Sequence, residues 1–157
     1  KKLHLKGKAA AAVGELLRSL VQEGAIYCDL SGRFGTAAQF GALPGTISGN
    51  ERGFGFFIPD DPALDDLFIP HRALRGAYNK DSVLVFRKGG RFGDEGEVLT
   101  VTKRGYTELV GTFRRERTGG SLHPDDRKFS TDIFIPSDRC MGAADGAKVG
   151  AHIRSFG

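Results

Sequence analysis

The run Arg52-Gly53-Phe54-Gly55-Phe56-Phe57-Ile58 concentrates the chemistry this sequence offers. Read as a β-strand, it puts Phe54 and Phe56 on one face and Phe57 on the other. Glycines between the rings leave room for a flat base to lie on an aromatic face. Arg52 supplies a cation for a sugar-phosphate backbone. A small barrel cannot bury rings on both faces of one strand, so one face is expected to be open for binding. A second run, Asp66-Leu67-Phe68-Ile69-Pro70-His71, alternates in the same way. Leu67 and Ile69 go inward and Phe68 outward. Set beside the first run, it joins Phe54, Phe56 and Phe68 into one platform, with His71 at the edge to stack or hydrogen-bond. Each base stacked there contributes about 1–3 kcal/mol, with little sequence preference. The basic-Gly-aromatic-Gly-Phe order is close to that of modules that read single-stranded RNA.

The elements that must hold these rings are short strands. From residue 42 onward the chain is rich in Gly, Phe and β-branched residues, with turn signals every 8–12 residues. This part contains an internal repeat. Gly45-Thr46 returns as Gly111-Thr112, Pro59-Asp60-Asp61 as Pro124-Asp125-Asp126, and Asp66-Leu67-Phe68-Ile69-Pro70 as Asp132-Ile133-Phe134-Ile135-Pro136. Gly76 returns as Gly142. The period is too long for a solenoid unit and suits two tandem small barrels. Ser82–Arg87 and Lys148–Arg154 read as equivalent fourth strands, and Glu97–Lys103 as a fifth in the first copy only. Five strands is the count of an OB-fold barrel. The second copy reaches Gly157 before a fifth strand appears, so it is expected to lack one.

The chain upstream reads differently. Val13, Leu16, Leu17, Leu20 and Val21 fall at helical spacing, with Gly24 placed to end the helix. Two extended runs follow, Ala25–Asp29 and Arg33–Thr36, joined by Leu30-Ser31-Gly32. Helix then hairpin is the last half of a winged helix. The expected fold is therefore mainly β: two tandem OB barrels, residues 42–104 and 105–157, preceded by a partial winged helix at 1–41. Lys1, Lys2, Lys6 and Lys8 lie before the helix.

Composition narrows the functional classes. The chain has 157 residues, 23 basic and 19 acidic, for a net charge of +4. This permits nucleic-acid binding without demanding it. Twenty-three glycines argue against an all-helical bundle. No apolar run approaches the ~18 residues of a membrane span, so no membrane partner is expected. Cys28 and Cys140 form no CxxC pair, which excludes a zinc ribbon and fits a reducing cytoplasm. The pairs Asp60-Asp61, Asp65-Asp66 and Asp125-Asp126 are chemically able to hold magnesium. They lie in Pro-containing turns, where Asp bonds its own backbone. No catalytic and no metal-binding residue is assigned. The first residue is Lys1 and the single methionine is Met141, so the chain reads as an internal piece of a longer protein.

RGFGFFIPDD followed by DDLFIPHRAL resembles the two RNA-binding motifs of cold-shock domains. With GTISGNERGFGFFIPDD, LRGAYNKDSVLV, ELVGTF, PDD and DIFIP in this order, the chain is similar to the N-terminal region of the ribonuclease R / ribonuclease II family of exoribonucleases. The resemblance implies two cold-shock-like barrels that help to feed single-stranded RNA to a separate catalytic domain. That domain would hydrolyse RNA from the 3′ end to nucleoside monophosphates, using magnesium. It and the S1 domain that would follow are partners expected in the same polypeptide, outside this chain. No cofactor is expected within these residues, and the chain alone is expected to be inactive.

The second copy departs from the motif. Thr118-Gly119-Gly120-Ser121-Leu122 stands where the first has its aromatic pair. Phe134 remains, and Arg114, Arg115 and Arg117 add charge on its first strand, Arg115 and Arg117 on one face. The RNA-contacting set is thus Arg52, Phe54, Phe56, Phe68, His71, Phe134, Arg115 and Arg117. Arg87, Lys88 and Arg91 add charge in a loop that OB folds often use. Three rival readings are a stand-alone cold-shock-type RNA chaperone, an OB scaffold for protein interaction and a winged-helix DNA-binding regulator.

Overall fold

Alternation of apolar and polar residues decides which way each strand faces, and it closes five strands into a barrel. The computed structural model describes residues 7–29, 31–90 and 93–156. Helix α1 spans Lys8–Gln22, and Gly24 takes the left-handed conformation just past its end. Strands β1 (Tyr27–Cys28) and β2 (Phe34–Gly35) pair antiparallel as the expected hairpin. A short helix α2 (Ala37–Phe40) then appears where only a connection was expected. Thr36 accepts from the Gln39 amide while the Gln39 side chain accepts from the Thr36 amide, and Gly41 ends the turn. The Thr-x-x-Gln spacing of this capping box was visible in the sequence. Lys1, Lys2, Lys6, Leu30 and Arg91 lie outside the described residues.

The first barrel comprises β3 (Leu43–Gly49), β4 (Gly55–Pro59), β5 (Leu67–Ile69), β6 (Ser82–Gly90) and β7 (Gly93–Lys103). It closes in the order β3-β4-β5-β7-β6, with β5 and β7 parallel. This is an OB-type barrel. Ile47, Phe57, Leu67, Ile69, Val83, Val85 and Val98 fill it, all essentially inaccessible. β6 and β7 are longer than expected, and this corrects one reading. Arg87 and Lys88 lie within β6, not in a loop. Arg87 pairs with Asp94 at 3.2 Å, and Lys88 pairs with Glu97, which also takes Arg75. Their charges are spent on the hairpin itself.

The second copy comprises β8 (Glu108–Glu116), β9 (Gly119–Pro124), β10 (Ile133–Pro136) and β11 (Lys148–His152). They form an open four-stranded sheet in the order β10-β9-β8-β11. The repeat extends to individual hydrogen bonds. Asp60 N donates to Pro44 O at 3.0 Å and Asp125 N to Val110 O at 3.0 Å. Lys80 N donates to Ile47 O at 2.7 Å and Gly146 N to Phe113 O at 2.8 Å. Where β7 sits in the first copy, nothing among the described residues bridges β10 and β11. The core is accordingly thinner: Leu109, Phe113, Leu122 and Phe129 are buried, while Ile133, Ile135, Val149 and Ala151 are half-buried.

The two copies touch through side chains of which the sequence marked only Asp126, and that as a turn residue. Tyr78 stacks on Phe129, with ring centroids 4.6 Å apart and planes 11° from parallel. Tyr106 meets the same ring edge-on, and Arg104 lies 4.0 Å over the Phe156 ring. The Asn79 amide donates to the Tyr106 hydroxyl at 3.0 Å and to Asp126 Oδ2 at 3.3 Å, while its oxygen accepts from Gly49 N at 2.9 Å. Tyr106 also donates directly to Asp126. That hydroxyl is the largest influence holding the Asp126 carboxyl below its ordinary 3.8. Burial first, and then Asp126, push the Tyr106 hydroxyl upward. Beneath this seam Asp81 is fully buried. It accepts from Tyr78 N at 2.9 Å, Gly105 N at 2.8 Å and Arg104 at 2.7 Å.

Two outcomes follow for stability. Asp81→Ala leaves two backbone amides and a guanidinium without their acceptor and is expected to cost about 3–5 kcal/mol. A fall in the urea midpoint with unchanged slope would show it. Asp126 has a lowered folded value, so its share of stability is present above pH 3.8 and is lost as pH falls through that lower value. In Tyr106→Phe its carboxyl should titrate nearer 3.8, read by NMR of the side-chain carbon.

Candidate nucleic-acid interface

The platform follows from the pleat of β4. Phe57 is inaccessible at the centre of the barrel, and its neighbour Phe56 therefore points outward, 42% exposed. Register sets Phe56 opposite Ser48 on β3 and opposite Phe68 on β5. Phe68 is 38% exposed, between the buried Leu67 and Ile69. Phe54 lies just before β4, where the β3–β4 hairpin ends. The three rings meet pairwise, with centroids 5.4 to 5.9 Å apart and planes steeply inclined. Ile58, 45% exposed two residues beyond Phe56, extends this apolar face. Strict alternation from Phe56 would have found it.

The hairpin holding Phe54 is a three-residue turn closed by a left-handed glycine. Gly53 N donates to Asn50 O, Asn50 N donates to Phe54 O, and Gly53 has φ 85°. Asn50 Oδ1 caps the Arg52 amide at 2.9 Å. Arg52 is exposed, with no ion-pair partner among the described residues. His71 begins the 3-10 turn that follows β5. Its Nδ1 lies 2.7 Å from the Gly53 carbonyl. A carbonyl can only accept, so Nδ1 carries the proton. His71 thus braces the turn behind Phe54, and the structure gives it hydrogen bonding rather than stacking.

In the second copy, register makes Arg114, Ser121 and Phe134 the counterparts of Ser48, Phe56 and Phe68. Gly119 stands for Phe54. The turn is one residue shorter, Arg117–Thr118, so Arg117 sits in the turn and not on the strand. Arg115 N donates to Asp145 at 2.8 Å, and its guanidinium donates to the Ala143 carbonyl at 2.6 Å. Arg114, on the alternate face, is the arginine that shares a row with Phe134. Phe134 is 58% exposed with no aromatic neighbour among the described residues. The first copy therefore gathers Phe54, Phe56, Phe68 and His71 with Arg52 beside them, and Phe134, Arg115 and Arg117 stay dispersed.

Two of the paired aspartates, Asp61 and Asp126, behave as turn formers. Asp61 Oδ1 accepts from Ala63 N, and Asp126 Oδ1 accepts from Lys128 N, both at 2.9 Å. Among the described residues no three His, Cys, Asp or Glu side chains converge as metal ligands.

Residues 45–101 match the family model of the Ribonuclease B OB domain. These residues span nearly the whole closed barrel. Among curated proteins, ribonuclease R of Thermotoga maritima is 32% identical over 146 residues, covering 92% of this chain and 20% of the relative. Ribonuclease R of Escherichia coli is 27% identical over 150 residues, covering 92% and 18%. The chain thus spans about one fifth of the length of the relatives it matches. Among solved structures, a yeast pseudonuclease superposes with a TM-score of 0.52 at 15% identity, covering 64% of this chain and 18% of the other. Mycoplasma genitalium ribonuclease R, in complex with ribose-methylated single-stranded RNA, superposes at 0.50 with 18% identity, covering 71% and 19%. These likenesses support the OB-type fold.

The brace behind Phe54 is open to test. Gly53→Ala places a side chain in the left-handed region, with Cβ 3.2 Å from His71 Nδ1. It is expected to cost roughly 1–2 kcal/mol and lower the melting temperature, whereas Gly89→Ala, with open space around it, should cost less.

Proposed function

We propose that this chain is the single-stranded-RNA-holding region of a ribonuclease R-type exoribonuclease. It is organised as a partial winged helix (1–41) and two OB units (42–104 and 105–157). The observation that carries the reading is the cluster of Phe54, Phe56 and Phe68 on the outer face of β4 and β5. All three rings touch, Phe56 and Phe68 are each more than a third exposed, and Phe54 is half-buried beside them. Inclined, partly open rings beside a free arginine suit unstacked bases and a phosphate backbone. The similarity to ribonuclease R along nearly the whole chain supports the assignment.

On this reading the region steers RNA towards a hydrolytic domain elsewhere in the same cytoplasmic polypeptide. That domain and the S1 domain supply what this chain does not, including magnesium and release of nucleoside monophosphates from the 3′ end. The second copy contributes less stacking, because Ser121 and Gly119 replace the aromatic pair.

Fluorescence anisotropy with a labelled single-stranded RNA of about 15–20 nucleotides tests the proposal. Binding should weaken as salt rises, and Phe54→Ala/Phe56→Ala should lose roughly 2–6 kcal/mol. Absence of binding by a folded chain would overturn the reading in favour of a protein-interaction scaffold.

A further inference from the structure

Between the copies, at the Phe54 end of the platform, lies a notch of about 20 Å³. Asn50, Gly53 and Phe54 line it from the first barrel, and Lys128 and Ser130 from the second. The approach is close: a Cβ on Gly49 would lie 2.5 Å from the Lys128 carbonyl. Stacked Tyr78 and Phe129, with Asn79 bound to Asp126, hold the turn in that position. The acidic charge of this turn is already engaged. Asp125 pairs with Lys148, and Asp126 takes Tyr106 and Asn79. Arg127 and Lys128 are exposed and have no ion-pair partner among the described residues.

We infer that the second barrel meets RNA through its Asp126–Ser130 turn, where Lys128 and Ser130 carry the phosphate path of the first barrel's platform across the seam. The inference rests on the RNA-holding reading of that platform. Its reasoning is geometric. The outer face of the second copy carries Phe134 alone where the first has three rings, whereas this turn stands against the platform and offers unpaired cations. A short strand fills the rings alone. A longer one must leave the platform at one end, and at the Phe54 end it runs onto Lys128. The notch itself is too small for a base and large enough for one oxygen, so the turn reads backbone, not sequence.

The test uses this chain with oligouridylates of about 4 and about 10 nucleotides, comparing Lys128→Gln with the parent. Lys128 is exposed, so the substitution should leave the melting temperature unchanged. Expected is a loss of roughly three- to fivefold for the longer oligomer at low salt, with none for the shorter. The salt slope for the longer oligomer should fall by about 0.7, the equivalent of one phosphate contact. Backbone amides of residues 127–130 should shift in NMR spectra with the longer oligomer only. If Lys128→Gln equals the parent on both oligomers and these amides stay still, while Phe54→Ala/Phe56→Ala abolishes binding, the seam inference is overturned and the platform reading stands. If the aromatic variant also binds like the parent, the platform reading fails and takes this inference with it.

Discussion

One buried carboxylate fixes how the two halves of this molecule meet. Asp81 lies just before β6, fully buried. Its oxygens gather Tyr78 N, Gly105 N and Arg104, so the loop before β6 and the linker after β7 share one anchor. Buried, it cannot exchange these donors for water. With both segments held, Tyr78, Asn79 and Tyr106 project together towards Phe129 and Asp126. The stacking and the Tyr106–Asp126 bond then follow from positions already set.

The aromatic face depends on a simpler constraint. Phe57 fills the centre of the closed barrel, and a pleated strand cannot bury Phe57 without turning Phe56 outward. This is why that part of the site was legible in the sequence. Phe54, Phe56, Phe57, Leu67, Phe68 and Ile69 all take the sides that alternation assigns them. The repeat was legible too, because Gly45 and Gly111 each lie where a side chain would strike the facing strand, and such positions keep their residue in both copies.

What stayed hidden has physical reasons. His71 is tied to Gly53 across 18 residues, and no local spacing encodes a bond of that range. The seam draws on Tyr78, Asn79, Tyr106, Asp126 and Phe129, singly ordinary residues that matter only once two barrels are placed side by side. Arg115 and Arg117 looked like one charged face because alternation was carried past the end of β8. The strand stops at Glu116, and the exposed Arg115 guanidinium is taken by the Ala143 carbonyl. Arg87 and Lys88 looked free because the β6–β7 hairpin is longer than its turn signals suggest.

Gly119, which stands where the first copy has Phe54, limits what the second copy can carry on this face. Gly119 has φ 146°, and a Cβ there would press into the Ile135 carbonyl oxygen and crowd the Phe134 ring. At Gly120 a Cβ would collide with the Phe113 ring. A ring at position 119 would therefore need the shortened turn to lengthen again and β10 to withdraw. No single substitution at position 119 supplies the missing ring. Two units that share one plan thereby differ on this face, the first bearing three rings and the second packed closely where they would stand.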